Sequence, residues 1–162
     1  MKKIVFVCHG NICRSPMAEF IFKKLCADRG VDADFSATSR ATSSEEIIGG
    51  EGRPMYPNAR AELKKNGIPA GDHAACQLKR ADLSEYDLFI GMDSANYTNM
   101  HRILGLSAPS PRIRKLLDYT SRGGDVSDPW YSRRFDVAYS DILEGCTALL
   151  DSLLAENGGD PA

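Results

Sequence analysis

The sequence predicts an α/β fold: a single three-layer domain with a central parallel four-stranded sheet and helices on both faces. Two observations carry this. Short apolar runs alternate along the chain with segments of 3.6-residue periodicity, the order that builds a parallel sheet covered on both sides. The 162 residues suffice for one good core and are too few for two ordinary domains.

Taken in order, residues 3–7 read as a buried strand. Residues 16–29 read as a helix, with Met17, Phe20, Ile21, Lys24 and Leu25 on one stripe and Gly30 as its stop. Phe35 to Ser39 is a second strand. Residues 40–53, rich in Ser, Glu and Gly, read as a loop. A helix over 57–66 carries Ala59 and Leu63 and ends at Gly67. Residues 73–78 form a weak third strand, and Leu88-Phe89-Ile90 is the centre of a fourth. Ser94 to Ile103 is helical, and Ile113 to Leu117 is a short apolar segment that fits either type. A long helix over 134–155 turns Val137, Ile142, Leu143, Cys146, Leu149, Leu150 and Leu153 inward. The domain is expected to span 1–156, with 157–162 a flexible polar tail.

Composition narrows the function. The net charge is −2, which leaves no footprint for nucleic acid or a membrane surface. No apolar run approaches a membrane span, and the apolar part of the N-terminus is too short for a signal peptide. Five cysteines, an odd number, argue against a disulfide framework. The expectation is a cytoplasmic monomer with reduced thiols.

The segment from Ile4 to Pro16, IVFVCHGNICRSP, carries the chemistry. A strand delivers Cys8 into a short loop, and a helix begins just behind it. The loop amides and the helix end carry partial positive charge and make an anion site. Arg14 adds a planar fork of donors suited to a tetrahedral oxyanion. Such surroundings favour a nucleophilic thiolate facing a bound phosphate. A cysteine at a strand end is ordinarily a small buried hydrophobe. Gly10, Asn11, Arg14, Ser15 and Pro16 at these offsets reverse that reading. A second candidate lies far along the chain, in Asp128-Pro129-Trp130-Tyr131. Pro129 restricts the residue before it, so the Asp128 backbone is held extended. Trp130 and Tyr131 offer apolar walls for an aromatic substrate. Asp93 is placed to cap the helix that follows it.

The spacing Cys8-x5-Arg14-Ser15 near the N-terminus, together with the Asp128-Pro129 segment, resembles the low-molecular-weight protein tyrosine phosphatases. The resemblance covers nearly the whole chain. It implies Cys8 as nucleophile, Arg14 as phosphate ligand and Asp128 as general acid. It implies a phosphate-binding loop of His9, Gly10, Asn11, Ile12, Cys13 and Ser15 after the first strand, with Trp130 and Tyr131 beside the substrate. Ser39 and His73 match a supporting hydrogen-bond network with Asn11 and Ser15. The substrate is then a phosphotyrosine-containing protein or a small aryl phosphate, and no cofactor or metal is implied. Cys13 can pair reversibly with the nucleophile in that family, whereas Cys26, Cys76 and Cys146 read as inert. Glu45 stands where eukaryotic members carry an aromatic cleft wall, and insertions fall around Gly49 to Arg53.

Three rivals use the same residues. An arsenate reductase on this scaffold passes oxidation through two further cysteines in a segment like residues 76–95, where this chain has only Cys76. A non-catalytic phosphate-binding module would be expected to lose Cys8 or Asp128, and both are present. A zinc site from Cys8, Cys13, His73 and Cys76 is opposed by the adjacent Arg14 and by the want of a Cys-x2-Cys pair.

Overall fold

A computed structural model describes residues 1–158. Four strands form one parallel sheet: β1 (Lys2–Cys8), β2 (Phe35–Ala41), β5 (Leu88–Gly91) and β6 (Ile113–Lys115), in the order β2-β1-β5-β6. β1 is central, and its residues Ile4 to Cys8 are all buried. Alternation along it feeds two cores. Ile4, Phe6 and Cys8 face α1 (Arg14–Asp28) and α6 (Phe135–Gly158), where Met17, Ile21, Ile142 and Leu149 lie. Val5 and Val7 face α4 (Ser94–Leu104), packing with Met100 and Leu104. The apolar run of β1 is thus explained by burial on both sides.

Three short helices, α2 (Pro57–Lys65), α3 (Asp82–Glu85) and α5 (Pro129–Ser132), complete the helical set. Buried residues Arg14 to Phe22 make the first half of α1 inaccessible on every side. Asp93 caps α4 in a reciprocal capping box with Asn96.

Several expectations need correction. Residues 73–78 are not a strand of the sheet. They run extended and make a single parallel bridge, Ala41 with Gln77. Their backbone groups go instead to Ala41 and to the carbonyl of Arg53. The fourth strand is β6, which leads into a turn of 3₁₀ helix over Leu116–Tyr119. The 40–53 loop contains the end of β2 and a small hairpin, β3 (Ile47–Ile48) with β4 (Glu51–Gly52). The hairpin lies so close to Ala75 that a Cβ on Gly52 would meet its carbonyl oxygen at 1.9 Å. Helix α6 includes Asn157 and Gly158, expected in the tail, and residues 159–162 lie outside the described ones. No helix among the described residues is long and apolar enough to cross a membrane.

Candidate active site

The loop between β1 and α1 is built at the carboxyl edge of the sheet, where parallel sheets present their ligand sites. Parallel pairing continues past the end of β1: Thr42 N–H donates to the Cys8 carbonyl and Ser43 N–H to that of His9, both at 3.0 Å. Cys8 is therefore clamped at the last position of β1, at the end of its buried run. Its side chain is 4% exposed.

Three donors converge on its sulfur. The N–H groups of Asn11 and Ser15 lie 3.3 and 3.4 Å from Sγ, and the Ser15 hydroxyl lies at 3.0 Å. The direction of the last bond follows from its neighbours. Cys76 N–H donates to Asn11 Oδ1 at 3.0 Å, which fixes the amide orientation. Asn11 Nδ2 then donates to Ser15 Oγ at 2.8 Å, so the serine proton is free to point at sulfur. Three donors on one sulfur suit an atom that carries negative charge. Asn11 has a φ of 61°, a left-handed conformation that Asn tolerates better than most residues. His73 Nε2 lies 2.6 Å from the Asn11 carbonyl, which can only accept, so this nitrogen bears the proton.

Arg14, the first residue of α1, is 4% exposed. Its Nη1 donates to the Val126 carbonyl at 3.1 Å, and its Nη2 pairs with Asp93 at 3.0 Å and Asp128 at 3.5 Å. Burial opposes its charge, but Cys8, Asp128 and Asp93 outweigh that and raise it above the usual arginine value. Asp128 splits its two oxygens. Oδ1 accepts from Trp130 N–H at 3.0 Å, capping α5, while Oδ2 faces Arg14.

Every residue from Cys8 to Arg14 lines one cleft of ≈ 540 Å³, with Asp93, Asp128, Trp130 and Tyr131 on its far side. Its near wall is acidic: Glu45 and Glu46 line it, and Glu45 pairs with His9 at 3.0 Å. The chemistry open to such a cleft is capture of a tetrahedral anion beside a sulfur nucleophile, with a carboxyl within reach. Among the described residues no group of three or more His, Cys, Asp or Glu is gathered to hold a metal ion.

Residues 3–158 match the family described as low molecular weight phosphotyrosine protein phosphatase. The chain belongs to that family. A low molecular weight protein-tyrosine-phosphatase of Bacillus subtilis, YfkJ, is 35% identical over 158 residues, 96% of this chain and 98% of its own. The human low molecular weight phosphotyrosine protein phosphatase is 32% identical over 154 residues, 93% and 94% of the two chains. The crystal structure of YfkJ superposes with a TM-score of 0.89, covering 96% of both chains. That of SP-PTP from Streptococcus pyogenes gives 0.80 at 36% identity, covering 94% and 93%.

Within this family member, the structure gathers Cys8 to Ser15, His73, Asp128, Trp130 and Tyr131 at one place. It does not bring Ser39 there. Ser39 Oγ donates to Glu19 Oε1 on α1 at 2.7 Å, because its register opposite Phe6 sets it two residues short of Cys8. Cys76, expected to be inert in a weak strand, is exposed and supports Asn11 through its backbone. Sequence reasoning missed the Arg14–Asp93 pair and gave Asp93 a cap first. Its position just past β5, beside β1, was the available signal, since neighbouring parallel strands end at the same edge. The Val126 carbonyl had no sequence signal, because any residue supplies one.

Proposed function

We propose that this protein hydrolyses phosphotyrosine, and small aryl phosphates, through a cysteinyl-phosphate intermediate. The observation that carries this reading is the convergence of two N–H groups and a hydroxyl on Cys8 Sγ, with Arg14 and Asp128 across the same cleft. The phosphate docks on the amides of residues 9–14 and on the Arg14 guanidinium, which neutralise its equatorial oxygens without a metal. The Cys8 sulfur attacks phosphorus in line, the bond to the aryl oxygen breaks, and Asp128 gives that oxygen its proton. Water then attacks phosphorus, its proton passes to the Asp128 carboxylate, and the sulfur leaves while accepting from Ser15. The products are the phenol and inorganic phosphate.

The cleft favours an aryl ester over an alkyl one. Its sulfur lies at a buried floor, and Trp130 and Tyr131 at the rim are 48% and 83% exposed, free to flank a ring. The relatives named above as phosphotyrosine phosphatases add weight to this preference.

Hydrolysis of p-nitrophenyl phosphate, a phosphotyrosine peptide and a phosphoserine peptide, each with a chelator present, tests the reading. The first two should turn over unaffected by chelator and the third should not. Cys8→Ser should abolish turnover while retaining phosphotyrosine peptide binding. Substantial turnover by that variant, or loss of activity to the chelator, overturns the mechanism.

A further inference from the structure

We propose that Tyr56 is the positioning residue that sets Asp128 against Cys8. Tyr56 stands just before α2 and outside both catalytic loops, yet it grips each of them. Its backbone N–H donates to the Ile12 carbonyl at 2.8 Å, in the middle of the Cys8 loop. Its ring is the bearing surface for the Asp128 segment. Trp130 meets it edge-on with centroids 5.4 Å apart, and Phe135 stacks on it at 5.8 Å and 13°. The Arg133 guanidinium lies 5.8 Å from the ring centroid and donates to the Tyr56 hydroxyl at 3.1 Å.

Up to Pro129 the Asp128 segment is anchored, by Ser127 N–H on Asp141 at 3.0 Å and by the buried Pro129 ring, but beyond it the chain leans on Tyr56. Tyr131 is 83% exposed, and α5 is only four residues long. Arg133 closes α5 at a φ of 60°, a left-handed conformation costly for a residue with a Cβ. The contact with Tyr56 helps to hold it there. On one side, Asp128 itself is held by Arg14. On the other, the next turn of chain rests on the Tyr56 ring. Tyr56 is therefore a second tie between the two loops besides Arg14, with its main chain on one and its side chain on the other.

This rests on Asp128 being the general acid, so the experiment separates the two claims. The kcat/KM values for phenyl phosphate, whose leaving group needs a proton, and 2,4-dinitrophenyl phosphate, whose leaving group does not, are measured for four variants. Asp128→Asn calibrates the acid: it should lose far more on phenyl phosphate. Tyr56→Ala should follow the same pattern at reduced size, about tenfold or more on phenyl phosphate, since small misplacements of a catalytic group carry such penalties. Tyr56→Leu, which fills the volume without a ring, should behave like the alanine variant and covers the case in which that one fails to fold. Tyr56→Phe, which keeps the ring, should recover most of the loss. Trp130 is the one tryptophan of the chain, so its fluorescence anisotropy reads the segment directly. It should fall in Tyr56→Ala and Tyr56→Leu and be regained in Tyr56→Phe. Inhibition by inorganic phosphate should move little in all three, because the Cys8 loop keeps its backbone bond.

Equal losses on both esters from the Tyr56 variants, with unchanged Trp130 anisotropy, would leave Asp128 as the acid and remove Tyr56 from its positioning. Equal losses from Asp128→Asn itself would remove the acid assignment, and this proposal with it.

Discussion

Arg14 and Asp93 lie 3.0 Å apart at the floor of the cleft, one on the first turn of α1 and the other at the N-cap of α4. The same carboxylate does two things: Oδ1 accepts from Asn96 N–H at 2.8 Å, and Oδ2 pairs with the guanidinium. The two roles separate by mutation. Asp93→Asn keeps a good cap and removes the charge, so kcat/KM should fall about tenfold or more as Arg14 loses its orientation. Asp93→Ala should match that kinetic loss and unfold with about 1 kcal/mol less stability than the asparagine variant, the worth of a cap. Inorganic phosphate should raise Tm more in Asp93→Asn than in the parent, because it supplies the missing negative partner. Thermal melts with and without phosphate check both statements.

Asn11 gives a second test, because its backbone and side chain make separate demands. Asn11→Ala and Asn11→Gly both lose the links to Ser15 and Cys76, so both should lose activity. The φ of 61° penalises only alanine. Asn11→Gly should therefore be the more stable of the two by up to about 1 kcal/mol in denaturant unfolding. Alanine equal to glycine would mean that the loop relaxes to another conformation.

Glu45, expected from the sequence to stand at the place of an aromatic cleft wall, does line the cleft. Its pair with His9 joins two exposed side chains and contributes little stability. Glu45→Tyr should lower KM for aryl phosphates by about two- to tenfold, the equivalent of one ring contact, with kcat nearly unchanged. Steady-state kinetics on two aryl phosphates decide it; an unchanged KM for both means the side chain at 45 gives the ring no contact.

Cys13 is chemically quiet by contrast. Burial chiefly, then the charges of Cys8 and Asp128, push its thiol up to about 12. Its folded value lies above the ordinary thiol range, so it stays protonated through neutral pH and its thiolate fraction grows tenfold per pH unit toward 12. Iodoacetamide should label Cys13 slowly at pH 7 and about tenfold faster per unit of added pH up to the point of unfolding. With Cys13 protonated and three donors set on the Cys8 sulfur, mild peroxide is expected to inactivate through Cys8, giving a sulfenic acid that condenses with the Cys13 thiol and releases water. Dithiothreitol should restore the parent. Cys13→Ala should recover poorly after the same exposure, and recovery equal to the parent would remove the protective role.

The parts of this molecule legible in its sequence are those set by neighbours along the chain. The apolar run before Cys8, the loop spacing to Arg14, the cap at Asp93 and the stop at Gly67 are all local chemistry. The parts that were not legible depend on pairing at a distance. β6 is only three residues long, with one buried side chain, so no alternation marks it. Residues 73–78 have the extended backbone but spend their hydrogen bonds on Arg53 and Ala41. Ser39 follows the same logic. Its side chain is of the right kind, but strand register, which local sequence does not state, aims it at Glu19. Tyr56 gave no signal at all, since a tyrosine before a proline reads as a helix entry.

The burial of β1 on both sides has a consequence for how the molecule breathes. Amide protons of Val5 to Val7 lie between two cores and reach solvent only when the whole sheet comes apart, so their exchange measures global unfolding. Those around Trp130 and Tyr131 sit at the surface and exchange through small local openings. The nucleophile and the acid thus belong to units of different cooperativity. Temperature or denaturant should detach the acid segment first, while the sulfur stays in its cradle until the fold itself is lost.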